Sequence, residues 1–226
     1  MRLIVAQDEE EAARCAAGEL ARACAAAVAE RGRACMALSG GRSPRRTFEL
    51  LAAAPLPWDA IVIAQVDERC VPAGDARRNL AALQASFVEA GRLPRENLLA
   101  MPVEREDLGG AADEYARLLA ERVGGAFDVL QLGLGDDGHT ASLVPGDPVL
   151  DVADRDVAIT APYQGTRRMT LTFRALDAAR ERLWFVTGAD RRAVLEALLE
   201  GRGDAPAVRV SRECSVVVAD RPAAGK

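Results

Sequence analysis

A chain of 226 residues, half of them hydrophobic, is long enough for one large α/β domain or two small ones with a sizeable core. The formal net charge of −5 argues against general nucleic-acid binding, and no segment is long and apolar enough to span a membrane. The acidic start MRLIVAQDEE lacks the apolar region of a signal peptide. We therefore expect a cytoplasmic protein without nucleic-acid or membrane partners.

Apolar runs alternate along the chain with alanine- and leucine-rich helical patterns, which is typical of βαβ units and a mainly parallel sheet. The predicted strands are Leu3 to Ala6, Cys35 to Leu38, Ile61 to Val66, Leu98 to Pro102, Phe127 to Leu134, Val157 to Thr160, Met169 to Phe173, Leu183 to Thr187 and Ser215 to Ala219. The predicted helices are Glu9 to Glu30, Pro44 to Ala53, Arg78 to Glu89, Ala111 to Arg122 and Asp190 to Glu200. Polar residues recur where strands end, so we expect them to meet at one edge of the sheet.

The first polar loop, SGGRSPRR, follows a predicted strand and opens a helix, with Ser43 as the N-cap and Pro44 as the first helical residue. Free amide groups and the positive end of a helix favour an anion, and phosphate is the obvious one. The candidate phosphate-binding residues are Ser39, Gly40, Gly41, Arg42 and Ser43. An ordinary strand-to-helix turn would have the same pattern. Dinucleotide binding is disfavoured, because neither SGGRSP nor GLGDDG has the full fingerprint, in which an acidic residue also ends the next strand.

The second polar loop, VDERCVPAGDARRN, places Asp67, Glu68 and Arg69 at a strand end. A carboxylate there is costly to bury unless it contacts a ligand or an arginine, and a solvated run of charges is the alternative.

Two further arginine pairs lie at element ends on the same predicted edge. Arg167 and Arg168 precede MTLTF, and Arg191 and Arg192 follow VTGAD. Arg191 is the more informative, because a cation near the start of a helix opposes the helix dipole unless an anion lies nearby.

The sole histidine, His139, lies in FDVLQLGLGDDGHTASLVPG, just beyond an apolar run that reads as a buried parallel strand. Ligands bind beyond the carboxyl ends of such strands, so we expect His139 at the mouth of a cleft, as a catalytic base. Capping a helix or bonding a turn is the alternative. Asp137 is close enough in sequence to fix the tautomer of the imidazole, and the glycines around it allow tight turns.

Cysteine and lysine usage excludes several other sites. Five scattered cysteines form no CxxC pair and are expected to be reduced, and one histidine leaves a zinc site almost without ligands. The only lysine is the terminal Lys226. A Walker-type phosphate loop, a pyridoxal phosphate enzyme, a Schiff-base aldolase or a lysine-assisted sugar isomerase needs an internal lysine and is excluded.

Five segments resemble the successive motifs of 6-phosphogluconolactonases, in order and at similar spacing: SGGRSPRRTFELL, VDERCVPAGDARRN, FDVLQLGLGDDGHTASLVPG, RMTLTF followed by LDAA, and VTGADRR. The resemblance runs from about Leu3 to Ala219. It implies a single domain over residues 1–226 with a three-layer α/β fold, a mainly parallel Rossmann-like sheet as in glucosamine-6-phosphate deaminase, ribose-5-phosphate isomerase and CoA transferases. It also implies hydrolysis of 6-phospho-D-glucono-1,5-lactone in the pentose phosphate pathway. We expect no cofactor and no metal, because one histidine with Asp137 and Asp67 offers a metal few ligands.

Carried over by position, the resemblance makes His139 the catalytic base, Asp137 its carboxylate partner and residues 39–43 the phosphate loop. Asp67 and Arg69 match the family's substrate-facing strand end.

Arg168 matches the arginine that precedes the family's TLT segment. Two positions depart from the pattern: Arg191 stands where the family usually has lysine, and Arg78, beside Asn79, where it usually has serine. Arg191 can still bind phosphate, bidentately where geometry allows. The resemblance assigns no role to Arg78.

Lactone hydrolysis needs a base for water and a donor for the developing oxyanion. The sequence offers His139 as the base, supported by Asp137, and Arg69 or loop amides as the donor. A covalent serine route is disfavoured, because no GxSxG elbow occurs and Ser142 has no second histidine. We expect a monomer or weak homodimer.

Two other functions remain as alternatives. A deaminase-isomerase would favour a tyrosine after Asp-Glu and a glutamate just beyond the histidine, whereas this chain has Arg69 and no glutamate from Thr140 to Gly146. A non-catalytic sugar-phosphate sensor would have no need of His139.

Overall fold

The computed structural model describes residues 1–41 and 43–226, so Arg42 lies outside the described residues. The strands of this part of the chain are β1 (Arg2–Ala6), β2 (Ala34–Leu38), β3 (Ile61–Gln65), β4 (Asp67–Arg69), β5 (Leu98–Leu99), β6 (Val129–Gly133), β7 (Val157–Ile159), β8 (Arg168–Leu171), β9 (Glu181–Val186) and β10 (Ser215–Asp220). Its α-helices are α1 (Glu9–Arg31), α2 (Arg45–Ala52), α3 (Asn79–Leu83), α4 (Leu108–Arg122), α5 (Phe173–Ala178), α6 (Arg192–Glu200), α7 (Pro206–Arg209) and α8 (Arg221–Ala224).

Seven strands form a parallel sheet in the order β1-β10-β9-β6-β2-β3-β5. Its interior strands β2 and β3 are buried along their whole length, which explains their continuous apolar sequences. Successive side chains of β2 point to opposite faces, Met36 into the core beneath α1 and α2 and Ala37 into the core beneath α4 and α6. Helices cover both faces of the sheet, and the predicted three-layer α/β class is confirmed.

The long helix α1 follows its local signals closely. Asp8 accepts the N–H of Glu11 at 2.8 Å as the N-cap, and Gly32 ends the helix in the left-handed conformation at φ 74°. Alanines make up most of its buried face, so the helix lies close to the sheet. None of the described helices is both long and apolar enough to cross a membrane.

A second, antiparallel sheet has the order β4-β8-β7 and was not predicted as such. The sequence pattern predicts that residues 67–69 open a loop, but they form β4, in which Arg69 pairs with Arg168 of β8. Two arginines opposite each other would repel in an ordinary sheet. Here the pairing brings both cations to the edge where the strands of the main sheet end.

Several predicted boundaries were wrong. Helix α2 begins at Arg45, with Pro44 in the N-cap position and no side-chain cap, so Ser43 is not the N-cap. The predicted helix from Arg78 to Glu89 starts one residue later and continues after Leu83 as a π-helix. Strand β5 ends at Leu99, whereas the predicted strand ends at Pro102. The Met101 N–H donates to the Gln65 side chain at 2.8 Å and not to the backbone of a neighbouring strand. Helices α5, α7 and α8 were not predicted.

Candidate active site

A cleft of about 250 Å³ opens where β2, β4, β6 and β9 end. Polar strand ends meet there because the strands of the main sheet run in one direction. The sequence-predicted residues that line it are Ser39, Gly40, Gly41, Ser43, Asp67, Arg69, His139, Arg168 and Arg191. Asp137 lies against His139 without lining the cleft, and Arg42 lies outside the described residues.

The imidazole of His139 is held by its neighbour Asp137. The His139 Nδ1 lies 2.6 Å from the Asp137 Oδ1, and the His139 backbone N–H donates to the same oxygen at 3.0 Å. A carboxylate at Nδ1 favours the proton on that nitrogen and leaves Nε2 with a free lone pair. Burial tends to raise the pKa of Asp137, but the hydrogen bonds and charge of His139 hold that pKa below its usual value.

Glycine is required beside this pair. The backbone N–H of Gly135 donates to the His139 carbonyl at 2.8 Å, which closes the loop on itself. A Cβ on Gly135 would lie 2.1 Å from the His139 Nδ1, closer than any side chain could approach. The loop therefore fixes both the position of the histidine and the approach of its carboxylate.

The loop after β2 approaches the cleft through its backbone. A Cβ on Gly40 would lie 2.2 Å from the Asn79 side chain, so only glycine fits there. The Ser39 N–H donates to the Gln131 Oε1 at 3.1 Å, while the buried Ser39 Oγ has no hydrogen-bond partner among the described residues. The first turn of α2 contains no acidic residue, so its positive end is free to attract an anion.

Asp67 is buried at the back of the cleft. The Ser142 hydroxyl donates to its Oδ2 at 2.6 Å, and the Asn79 amide donates to its Oδ1 at 3.2 Å. Burial raises the pKa of the Asp67 carboxyl, and the Ser142 hydroxyl opposes that rise. The Ser142 hydroxyl thus donates its proton to a carboxylate.

Glu68 points away from the cleft and is fully buried. Its Oε1 accepts the backbone N–H groups of Arg69 and Asn79, each at 2.8 Å. Its Oε2 accepts the Leu80 N–H at 2.8 Å and the Gln65 amide at 2.9 Å. Glu68 lies on β4, between Asp67 and Arg69. Its carboxylate therefore caps the start of α3 and joins that helix to β4.

Arg78, the residue without an assigned role, is the counter-ion of Glu68. Its Nε lies 3.1 Å from the Glu68 Oε2 as an ion pair, without hydrogen-bond geometry. The same guanidinium donates to the Val71 carbonyl at 3.2 Å and pairs with Glu104. Both side chains of the Glu68–Arg78 pair are buried, which supports a role in holding the site together.

Three arginines surround the cleft. The Arg69 guanidinium donates to the Asn79 Oδ1 at 3.0 Å, and the Arg191 Nε donates to the Leu134 carbonyl at 2.9 Å. Arg168 is 5% exposed, its burial lowers its pKa, and its Nε has no hydrogen-bond partner within the described residues. A buried cation with an unpaired donor is costly unless an anion meets it.

Sequence reasoning missed several residues of the cleft and its surroundings. Gln131 stood out as a polar residue within the apolar run FDVLQLG, which is a usable signal, because polar side chains are seldom buried without a partner. Asn79 could also have been identified from the sequence, because it belongs to the second motif. Tyr163 lies on a loop with no periodicity and gave no signal.

Comparison with known proteins places the chain in a family. The family model of glucosamine-6-phosphate isomerases/6-phosphogluconolactonase matches residues 7–218. A 6-phosphogluconolactonase of Synechocystis sp. is 35% identical, covering 79% of this chain and 76% of the relative. One of Pseudomonas aeruginosa is 36% identical, covering 84% of this chain and 81% of the relative.

Solved structures agree. The crystal structure of a 6-phosphogluconolactonase from Thermotoga maritima superposes with a TM-score of 0.87 at 25% identity, covering 97% of this chain and 98% of that one. A monomeric glucosamine-6-phosphate deaminase shares the fold, with a TM-score of 0.86 at 18% identity over 100% of this chain and 99% of that one. The chain therefore belongs to the glucosamine-6-phosphate isomerase/6-phosphogluconolactonase family.

Proposed function

We propose that residues 1–226 form one domain that hydrolyses 6-phospho-D-glucono-1,5-lactone to 6-phospho-D-gluconate in the pentose phosphate pathway. The observation that carries the proposal is the 2.6 Å contact between His139 and Asp137 at the edge of an arginine-lined cleft. The relatives named 6-phosphogluconolactonases, at 35% and 36% identity over most of the chain, support the same activity.

His139 is the general base. With its Nδ1 proton directed at Asp137, the Nε2 lone pair takes a proton from the attacking water, and the carboxylate stabilises the imidazolium that forms. The water oxygen bonds to the lactone carbonyl carbon, and negative charge develops on the carbonyl oxygen. When the ring C–O bond breaks, the leaving oxygen takes the proton back from the imidazolium as a hydroxyl group, and the carbonyl carbon becomes the product carboxylic acid, which ionises.

Arg69 is placed to stabilise the oxyanion. The amide oxygen of Asn79 fixes its guanidinium at 3.0 Å, so little reorganisation accompanies the development of charge. Asp67, on β4 like Arg69, faces the hydroxyl groups of the bound lactone.

The phosphate is held by the backbone amides of Ser39, Gly40, Gly41 and Ser43 and by the side chains of Arg168 and Arg191. A phosphate takes no part in the bond changes, so its binding energy serves to orient the carbonyl against the water and His139. The unpaired Nε of the buried Arg168 supports this placement, because a dianion would supply the missing acceptor.

The decisive experiment measures acid release from freshly prepared 6-phosphogluconolactone, with unphosphorylated gluconolactone as comparison. We expect much faster hydrolysis of the phosphorylated lactone. Ammonia release from glucosamine 6-phosphate, measured in parallel, tests the deaminase alternative. Ammonia release without lactone hydrolysis would overturn the proposal.

A further inference from the structure

Tyr163 lies between the proposed base pair and the proposed phosphate ligand Arg168. Its hydroxyl donates to the Asp137 Oδ2 at 3.3 Å, the carboxylate oxygen that His139 does not use. Its ring meets the His139 imidazole edge-on, with 6.0 Å between centroids and 61° between planes. On the other side, the Arg168 Cζ lies 4.9 Å from the centre of the same ring. One side chain thus contacts both the base pair and Arg168.

A tight turn holds Tyr163 in this position. The Tyr163 N–H donates to the Thr166 carbonyl at 2.9 Å, and the two residues between them have positive φ, 51° for Gln164 and 80° for Gly165. Positive φ at both central positions is the pattern of a type I′ turn, which glycine and asparagine favour and glutamine does not. The glutamine at this strained position makes a specific contact: its Oε1 accepts from the Arg168 guanidinium at 3.2 Å.

Arg168 is therefore enclosed by this turn. Gln164 accepts from one of its terminal nitrogens and the Tyr163 ring covers its face, while its Nε has no partner among the described residues. A cation over an aromatic face gains more when the cation is shielded from water, and Arg168 is buried. An anion that binds Arg168 fixes the guanidinium, and the guanidinium fixes the ring packed against it.

We propose that Tyr163 is a positioning residue that couples the anion bound at Arg168 to the orientation of Asp137 and His139. The inference rests on the proposed function and adds a specific consequence to it. A lactone without a phosphate leaves Arg168, the Tyr163 ring and hence the base pair less well ordered. Part of the preference for the phosphorylated substrate then appears in kcat as well as in KM.

Two variants separate the two contacts. Tyr163→Phe removes only the hydroxyl, and we expect kcat for the phosphorylated lactone to fall about fivefold with KM unchanged, the effect of one moderate hydrogen bond. Tyr163→Leu also removes the ring, and we expect an additional rise of about fivefold in KM for the phosphorylated lactone and none for gluconolactone. Unchanged kinetics in both variants would overturn the proposal.

Phe173→Leu is the matched control. Arg209 lies over the Phe173 ring with its Cζ at 4.5 Å, an equivalent arginine–aromatic contact outside the cleft. We expect its kcat and KM for both lactones to stay at the unmodified values. A loss as large as that of Tyr163→Leu would overturn the proposal, because the effect of Tyr163 would then be a general effect of losing an aromatic ring.

A spectroscopic test is independent of turnover. His139 is the only histidine, so its ¹⁵N imidazole signals are unambiguous in protein labelled at histidine. Inorganic phosphate should shift these signals in the unmodified protein and shift them less than half as far in Tyr163→Phe, which still binds phosphate through Arg168. An equal shift in both would overturn the coupling. Failure of the lactonase assay alone would refute the proposed function and leave this measurement valid.

Discussion

Replacing Arg78 by methionine tests the buried charges that connect α3 to β4. Methionine keeps much of the length of the side chain and removes its charge, which leaves the fully buried Glu68 without a counter-ion. Breaking a buried ion pair costs about 3–5 kcal/mol, because the remaining charge cannot reach water. Glu68 retains its N–H donors from β4, α3 and Gln65, so we expect the lower end, a loss of about 3 kcal/mol in the free energy of unfolding.

Urea denaturation followed by tryptophan fluorescence measures this loss, and thermal denaturation should show the melting temperature lowered by about 6–12 °C for a domain of this size. Glu104→Gln is the control: that carboxylate is 44% exposed, and its pair with Arg78 contributes about 0–1 kcal/mol. A double-mutant cycle of Arg78→Met with Glu68→Gln isolates the pair, and we expect a coupling of about 2 kcal/mol. A loss below about 1 kcal/mol in Arg78→Met would refute the reasoning.

The remaining predictions concern the chemistry. His139→Ala should lower kcat on the order of a hundredfold or more while 6-phosphogluconate still binds, as measured by calorimetry, and near-normal turnover would remove His139 from the mechanism. Asp137→Asn should keep binding but lose turnover, because the amide holds the imidazole less well. Arg168→Ala and Arg191→Ala should each impair the phosphorylated lactone far more than gluconolactone, and equal losses on both substrates would contradict the phosphate assignment. Exhaustive chelation should leave the rate unchanged, because a histidine bound to a metal could not serve as the free base; loss of activity restored by a divalent ion would overturn the histidine mechanism.

The parallel sheet and the pairing of His139 with Asp137 could be predicted from local sequence. Strands β2 and β3 are buried on both faces, so their sequences are continuous apolar runs that can be recognised without knowledge of their neighbours. His139 and Asp137 are two residues apart in one glycine loop, so their contact needs no other part of the chain. For the same reason the caps of α1 could be read from Asp8 and Gly32.

The second sheet and the packing around the cleft depended on contacts between distant parts of the chain. A strand of three residues such as β4 is too short to show alternation, and its partner β8 lies far away in the chain, in a sheet separate from the main one. Ser142 and Asp67 are 75 residues apart, and Tyr163 and Asp137 are 26 apart.

Arg78 shows most clearly what the sequence alone could not determine. In VDERCVPAGDARRN it is one of several charged residues, and nothing local distinguishes it from its exposed neighbour Arg77. Its burial follows from the position of Glu68, a carboxylate that β4 directs into the protein and that needs a counter-ion there. The sequence determined which residues could carry charge at the strand ends. Tertiary structure decided which of those charges face the cleft and which are buried beneath it, because burial and pairing depend on neighbours that only the folded chain brings together.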